Sequence, residues 1–273
     1  MSTREGWVVG MDSYASLLLT VSYSWIEEHF DRQDNAIGNL TEKRAREIGK
    51  INAAIQAYTS DLQNISINYC LLNELLNNPQ ISTAKRYLYS SLILENYFTN
   101  LRSLLDFISY IIRISLTEKQ LKVVPDIDSL NSLISFTKKE NNTGKLPLEI
   151  HNFLININPV LNEIRTIRDL IIHKGKEILI SRKNDRKFYI KIPKKGFSDN
   201  DNMLPNILNS EDSEYELYSY LRQITKKVFK HIEDIGAVML NDNIKHSKYS
   251  WTYYAIVNPC LNEFNDFLLN QDK

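Results

Sequence analysis

An all-α fold is what this sequence predicts, and three observations carry the prediction. Apolar residues recur at three- and four-residue steps through several long segments. Only eight Gly and seven Pro interrupt 273 residues, and 43% apolar content is enough to fill a sizeable core. The chain is read as one domain, residues 1–273. Within it lie a helical core over about 82–241, a small β-hairpin insertion over about 177–193, a helical extension at 1–80 and a helical tail at 242–273.

A first helix is expected from about Ser13 to Phe30, and Gly38-Asn39 then breaks the pattern. Thr41 caps the second helix, with Glu42 favourably placed at its start. Its stripe of Ile48, Ile51, Ile55, Tyr58, Leu62, Ile65 and Tyr69 carries it to about Asn77, where Asn78-Pro79-Gln80 stops it. Ser82 or Thr83 opens the third, with Tyr87, Leu94, Tyr97, Phe98, Leu101, Leu105, Ile108 and Ile112 inward to about Leu116. A short helix is expected after the Asp126–Ser129 turn, running to about Lys139. Glu140 to Lys145 reads as an exposed loop, and Pro147 restarts the chain. Pro159 fits a first helical position, opening a helix with Leu161, Ile164, Ile167, Leu170 and Ile171 inward that ends at Gly175.

The period then changes to two, with Glu177–Ile180 and Lys187–Ile192 as two strands of a hairpin. Phe197 to Asn209 is a polar loop. A helix is expected from Ser213 to about Asn241, through Leu217, Leu221, Ile224, Val228 and Ile235. Tyr249 to Leu269 reads as a bent or divided final helix.

Composition excludes several classes. Lys plus Arg and Asp plus Glu both total 33, so no global field draws the chain to nucleic acid or an anionic membrane, and any polyanion contact must come from a local patch. Cys70 and Cys260 stand far apart without a paired spacing, which fits core thiols in a reducing compartment. Met1 to Gly10 lacks the apolar stretch of a secretory signal. Leu17 to Ile26 and Leu101 to Ile114 fall short of the roughly 18 residues a spanning helix needs. A cytoplasmic protein without a membrane span is therefore expected. Phosphate-loop, dinucleotide and nucleophile-elbow motifs are all lacking, so no cofactor is expected. His29, His151, His231 and His246 lack ligand-spaced neighbours, so no metal site is expected.

The informative stretch is Arg165-Thr166-Ile167-Arg168-Asp169-Leu170-Ile171-Ile172-His173-Lys174-Gly175, where ionisable side chains gather at the end of an amphipathic helix. At α-helical pitch, Arg168 and His173 lie about 140° apart around the axis, with Arg165 and Asp169 between them. Asp169 sits four residues from both Arg165 and His173 and can pair with either. Imidazole titrates near neutrality and moves protons, while a guanidinium stabilises charge on phosphate oxygens. The pair therefore suits RNA cleavage by its own 2′-hydroxyl, with no metal. The same residues also read as a helix-end histidine favoured by the macrodipole beside an ordinary Arg165-Asp169 ion pair.

Arg168-x4-His173, with an acid directly after the Arg, resembles the R-x4-6-H motif of HEPN domains. Upstream, Leu101-Arg102-Ser103-Leu104-Leu105-Asp106 is similar to the L-R-x-x-L-D segment of one prokaryotic HEPN group, and the two occur in that family's order. The resemblance covers about Ser82 to Lys176. It implies a helical bundle that pairs two motifs across a homodimer cleft, giving a metal-independent endoribonuclease that leaves a cyclic phosphate. It also implies a place in toxin-antitoxin or phage-defence systems, with an antitoxin or other regulatory partner. Arg168, His173 and Asp169 are then the catalytic candidates, with Arg165 assisting. Asp169 stands where many active members carry an uncharged polar residue, and some members bind a nucleotide or a protein partner without cutting RNA.

Arg102 and Asp106 are four apart and read either as an ion pair or, with Asn100 and Glu95, as groups that orient the motif. Arg182, Lys183, Arg186, Lys187 and Lys191 crowd the hairpin just after Lys174, with Lys194 and Lys195 at its exit. These cations, with Phe188 and Tyr189 among them, are candidates to grip single-stranded RNA. The alternative is a solvated hairpin whose aromatics pack inward.

Overall fold

Long helices dominate, joined by short caps and one small sheet. The computed structural model describes Leu18, Val21, Ser22 and residues 42–126, 129–183, 187–195, 201–243 and 259–269, with the side chains of 42–45 and 240–243 excepted. The first expected helix lies outside these residues but for Leu18, Val21 and Ser22, which are helical and fully buried.

Helix α1 spans Glu42–Asn77 and α2 spans Thr83–Ile111, as their apolar stripes predict, with α2 tightening into a 3-10 turn at Ile112–Ser115. Helix α3, Glu118–Val123, departs from the sequence reading. Thr117 and Gln120 form a reciprocal capping box that starts it, and its six residues are too few to show an apolar stripe. Ser129 caps α4, Leu130–Thr137, and its hydroxyl accepts from the Ser132 amide. Helix α5 runs unbroken over Leu148–Arg168 with Pro159 inside it, so the expected restart at Pro159 is corrected. Proline removes one donor there, and the helix continues because Ile157, Leu161 and Ile164 on either side are fully buried.

Strands β1 (Leu179–Arg182) and β2 (Phe188–Lys191) pair antiparallel, with Leu179 opposite Lys191 and Arg182 opposite Phe188. A third strand, β3 (Tyr215–Glu216), pairs with β2, so helix α6 covers Leu217–Asn243 rather than starting at Ser213. Glu216 stops the strand and starts the helix, its carboxylate accepting from the amides of Tyr218 and Ser219. Helix α7 is Pro259–Leu269. No helix of the described residues is long and apolar enough to cross a membrane.

The chain divides into two compact units. One holds Met1–Ser60, Ser103–Pro159 and Phe229–Val257; the other holds Asp61–Arg102, Val160–Val228 and Asn258–Lys273. In the first, Ile51, Ile55, Tyr58, Leu105, Ile108, Leu154 and Phe229 are fully buried. A buried ion pair crosses it: Glu47 and Arg113 are each exposed by about one twentieth of their side-chain area. The guanidinium donates through Nε and Nη2 to the Glu47 carboxylate and through Nη1 to the Pro125 carbonyl.

The second unit contains the sheet, the end of α5 and part of both the extension and the tail. Tyr69 of α1 stacks on Phe267 of α7 with ring centroids 4.2 Å apart, and Asn73 donates to Glu263 at 2.9 Å. Tyr97 of α2 and Thr225 of α6 share a buried hydroxyl hydrogen bond of 2.6 Å. Cys70 is buried, as expected, while Cys260 is half-buried, and the Cys70 thiol lies 3.6 Å from the Cys260 carbonyl. Burial pushes the Cys70 thiol well above its ordinary pKa, with Cys260 and Glu263 adding to the effect. Cys70 should therefore resist iodoacetamide at pH 8 in the folded protein and react only after denaturation, as read by peptide mass spectrometry.

Candidate functional site

The end of α5 is anchored by Ile167, Leu170 and Ile171, all buried, which leaves the intervening ionisable residues on the open side. The helix does not finish as an α-helix. Asp169–His173 forms a π-helical turn, in which the Lys174 amide donates to the Asp169 carbonyl at 3.1 Å. Gly175 then takes φ +59, a conformation costly for any side chain bearing a Cβ. The Lys176 amide closes on the Leu170 carbonyl at 3.0 Å, one residue wider than the usual glycine-terminated end.

That widening changes the geometry expected from the sequence. In an α-turn, residues five apart diverge around the axis. In a turn that closes at five residues they stack, as residues four apart do in an α-helix. His173 is thereby drawn back toward Arg168. Both converge on one atom: Asp169 Oδ1 lies 3.8 Å from His173 Nε2 and 3.9 Å from Arg168 Nη1. The other carboxylate oxygen accepts from Arg165 Nε at 3.3 Å. Arg165, Arg168, Asp169 and His173 thus form one cluster with the acid at its centre. Exposure rises outward, from 31% for the Asp169 side chain to 61% for that of His173.

Of the cluster, Asp169 lines a groove of about 580 Å³, with Thr166, Leu170 and Lys174 beside it on one wall and Lys194, Asp201, Asn202 and Met203 on the other. The far wall is tied down by backbone. Pro193 bridges Asn202, the Met203 amide donates to the Ile192 carbonyl, and Asn202 Oδ1 accepts from the amides of Ile192 and Leu204. Lys176 Nζ donates to the Lys194 carbonyl at 2.7 Å, fastening that wall to the helix end. Lys194 belongs to the basic run evident in the sequence. Asn202 and Met203 carry no sequence signal, since a loop acquires a role here only through its pairing with the hairpin exit. The volume suits one nucleotide-sized ligand.

The other expected residues separate. Arg102 is buried in α2. One Asp106 carboxylate oxygen accepts from the Leu130 amide at 3.1 Å and so serves the start of α4. Glu95 and Asn100 are half-buried, and no hydrogen bond or ion pair joins them to the motif among the described residues.

On the hairpin, Glu214 draws in two of the expected RNA-binding cations: Lys191 Nζ at 2.9 Å and Lys183 Nζ at 3.4 Å, while the Ser181 hydroxyl donates to it at 3.0 Å. Lys183 also lies over the Tyr189 ring at 4.1 Å, Arg182 lies over Phe188, and Phe188 is buried. Phe188 thus packs inward, while Tyr189 is half-buried beneath Lys183. Lys187 remains exposed, and Arg186 lies outside the described residues. Of the basic candidates, Lys174 and Lys194 line the groove.

Burial works to raise the Glu214 carboxyl, but the hydrogen bonds from Lys191 and Ser181 and the charges of both lysines outweigh it and hold the group below the usual carboxylate range. Because the folded pKa is depressed, the unfolded chain binds more protons in the acid range. The stabilisation is present above the unfolded value of about 4.3 and is lost as pH falls through the folded one. Glu214→Gln should flatten that part of the Tm-against-pH curve between about pH 5 and pH 3, measured by thermal melts against the unmodified chain.

Among the described residues, no group of three His, Cys, Asp or Glu side chains is arranged to hold a metal ion. No family model, no curated protein and no solved structure matches this chain.

Proposed function

We propose that the chain is an endoribonuclease of the HEPN kind, cutting single-stranded RNA through its own 2′-hydroxyl without a metal. The observation that carries the reading is the convergence of Arg168 and His173 on Asp169, whose side chain lines a groove shared with Lys174 and Lys194. In this reading His173, the most exposed member, takes the proton from the 2′-hydroxyl or returns one to the leaving 5′-oxygen. Arg168 meets the charge that builds on the non-bridging phosphate oxygens, and Asp169 holds both in register while Arg165 balances its second oxygen. A homodimer would bring two such clusters to one cleft, and a toxin or phage-defence role, restrained by a regulatory partner, follows from the same resemblance.

One observation favours a second reading. Two guanidinium groups and an imidazole already share a single carboxylate, an arrangement that equally suits a non-catalytic module holding a nucleotide phosphate or a protein acid.

The deciding experiment is incubation of the purified chain with labelled single-stranded RNA in EDTA. Cleavage products ending in a 2′,3′-cyclic phosphate, lost in Arg168→Ala and in His173→Ala, are expected. Binding of RNA or nucleotide without cleavage would move the chain to the second reading.

A further inference from the structure

A second cavity, of about 520 Å³, lies in the same compact unit as the groove and shares no lining residue with it. Its walls come from the end of α1, the start of α2 and the first two strands. Leu76, Ile180 and Phe188 supply apolar surface, and Thr83, Arg86 and Arg182 supply polar surface. No Asp or Glu lines it. Two acids border it, each bonded to a lining hydroxyl: Glu177 accepts from Tyr87 at 2.9 Å, and Glu214 accepts from Ser181 at 3.0 Å while Lys191 and Lys183 balance its charge.

Arg86 carries the inference. Its Nη2 donates to the carbonyls of Asn78 at 2.8 Å and Ile81 at 3.2 Å, which fixes the guanidinium in place. Its Nε is buried with no hydrogen-bond partner. Its charge is held by backbone carbonyls and meets no carboxylate among the described residues, so an oxyanion in the cavity would supply the missing counter-charge in the charge-assisted form guanidinium groups favour. Arg182 is preset as well, its guanidinium 5.4 Å from the centroid of the Phe188 ring. It adds a second positive charge and a flat surface on which a planar group can stack.

We propose that this cavity binds a small organic anion, with one phosphate or carboxylate head between Arg86 and Arg182 and a flat apolar body against Leu76, Ile180 and Phe188. Neither half suffices: two guanidinium groups without the apolar wall would hold any anion, and the wall alone would hold any small hydrophobe.

The test is calorimetric titration of the full chain with phenyl phosphate, benzoate, inorganic phosphate and benzyl alcohol. At least one of the first two should bind ten times or more tighter than both inorganic phosphate and benzyl alcohol, and comparing those two identifies the head group. Arg182→Ala should weaken that binding at least tenfold. Arg86 also secures the Asn78–Ile81 loop, so Arg86→Lys, which keeps a charge but removes the planar fork, is the companion variant and should weaken binding at least threefold in a chain that a thermal melt shows to be folded. Absence of binding by either organic anion at millimolar concentration, equal affinity for inorganic phosphate, or unaltered affinity in Arg182→Ala would each overturn the proposal.

Discussion

His173→Ala is expected to lower RNA cleavage by about 10²- to 10⁴-fold, the range over which a positioned proton-transfer group acts, while leaving the melting temperature nearly unchanged. The second half of that expectation rests on exposure. The imidazole is 61% exposed and its Nε2 stands 3.8 Å from the Asp169 carboxylate, itself partly exposed, so truncation leaves no cavity and no buried charge. Arg168→Ala should be comparably severe in turnover. Arg168→Lys should recover part of the loss if charge alone matters and little if the planar fork grips the phosphate. Single-turnover cleavage of a fluorescent oligonucleotide, run beside thermal melts of each variant, separates chemistry from folding. Full activity in His173→Ala would end the nuclease proposal.

The largest stability effect is expected far from that chemistry, in the first compact unit. Arg113→Ala or Glu47→Ala should each cost about 3–5 kcal/mol, because either leaves the opposite charge buried without its partner. Arg113 is the worse to lose, since its guanidinium also serves the Pro125 carbonyl at 3.2 Å. A double replacement, Glu47→Leu with Arg113→Leu, should be less damaging than the sum of the two single losses, because the uncompensated charge disappears with its mate. Urea unfolding midpoints for the four proteins measure this directly. A loss below about 1 kcal/mol in both single variants would mean that water reaches the pair and screens it as at a surface.

Neither residue announces this in the sequence: Glu47 and Arg113 are 66 positions apart, and each sits among residues that read as ordinary helix. What is legible at a distance is periodic burial. The stripes of α1, α2 and α6 were readable because an apolar face must repeat at helical pitch to be covered. The hairpin was readable because alternation over Lys187–Ile192 suits only a strand. Features set by single contacts were not readable. Pro159 reads as a start signal, yet neighbouring burial carries α5 through it. Strand β3 is two residues long and exists only because β2 offers it an edge. Spacing leaves the basic hairpin open as a substrate grip or a solvated surface, and Glu214, just before β3, supplies a counter-charge that spacing alone could not reveal.

At the site, the identity of the four residues was legible and their arrangement was not. Ideal α-helical pitch spreads Arg168 and His173 over a wide arc, and a preference for the wider closure leaves no compositional mark in Asp169-Leu170-Ile171-Ile172-His173. It arises where a buried run, Leu170-Ile171, meets a glycine able to take positive φ.

That wider closure has a consequence for tolerance to change. Over the same rise along its axis it stores one residue more than an ordinary turn, so the chain there can shed a residue and relax into regular hydrogen bonding instead of breaking. Loss of one position between Asp169 and His173 would leave a well-formed helix end and a folded molecule, yet swing the imidazole to another azimuth. The element is robust as a piece of architecture and fragile as a piece of alignment.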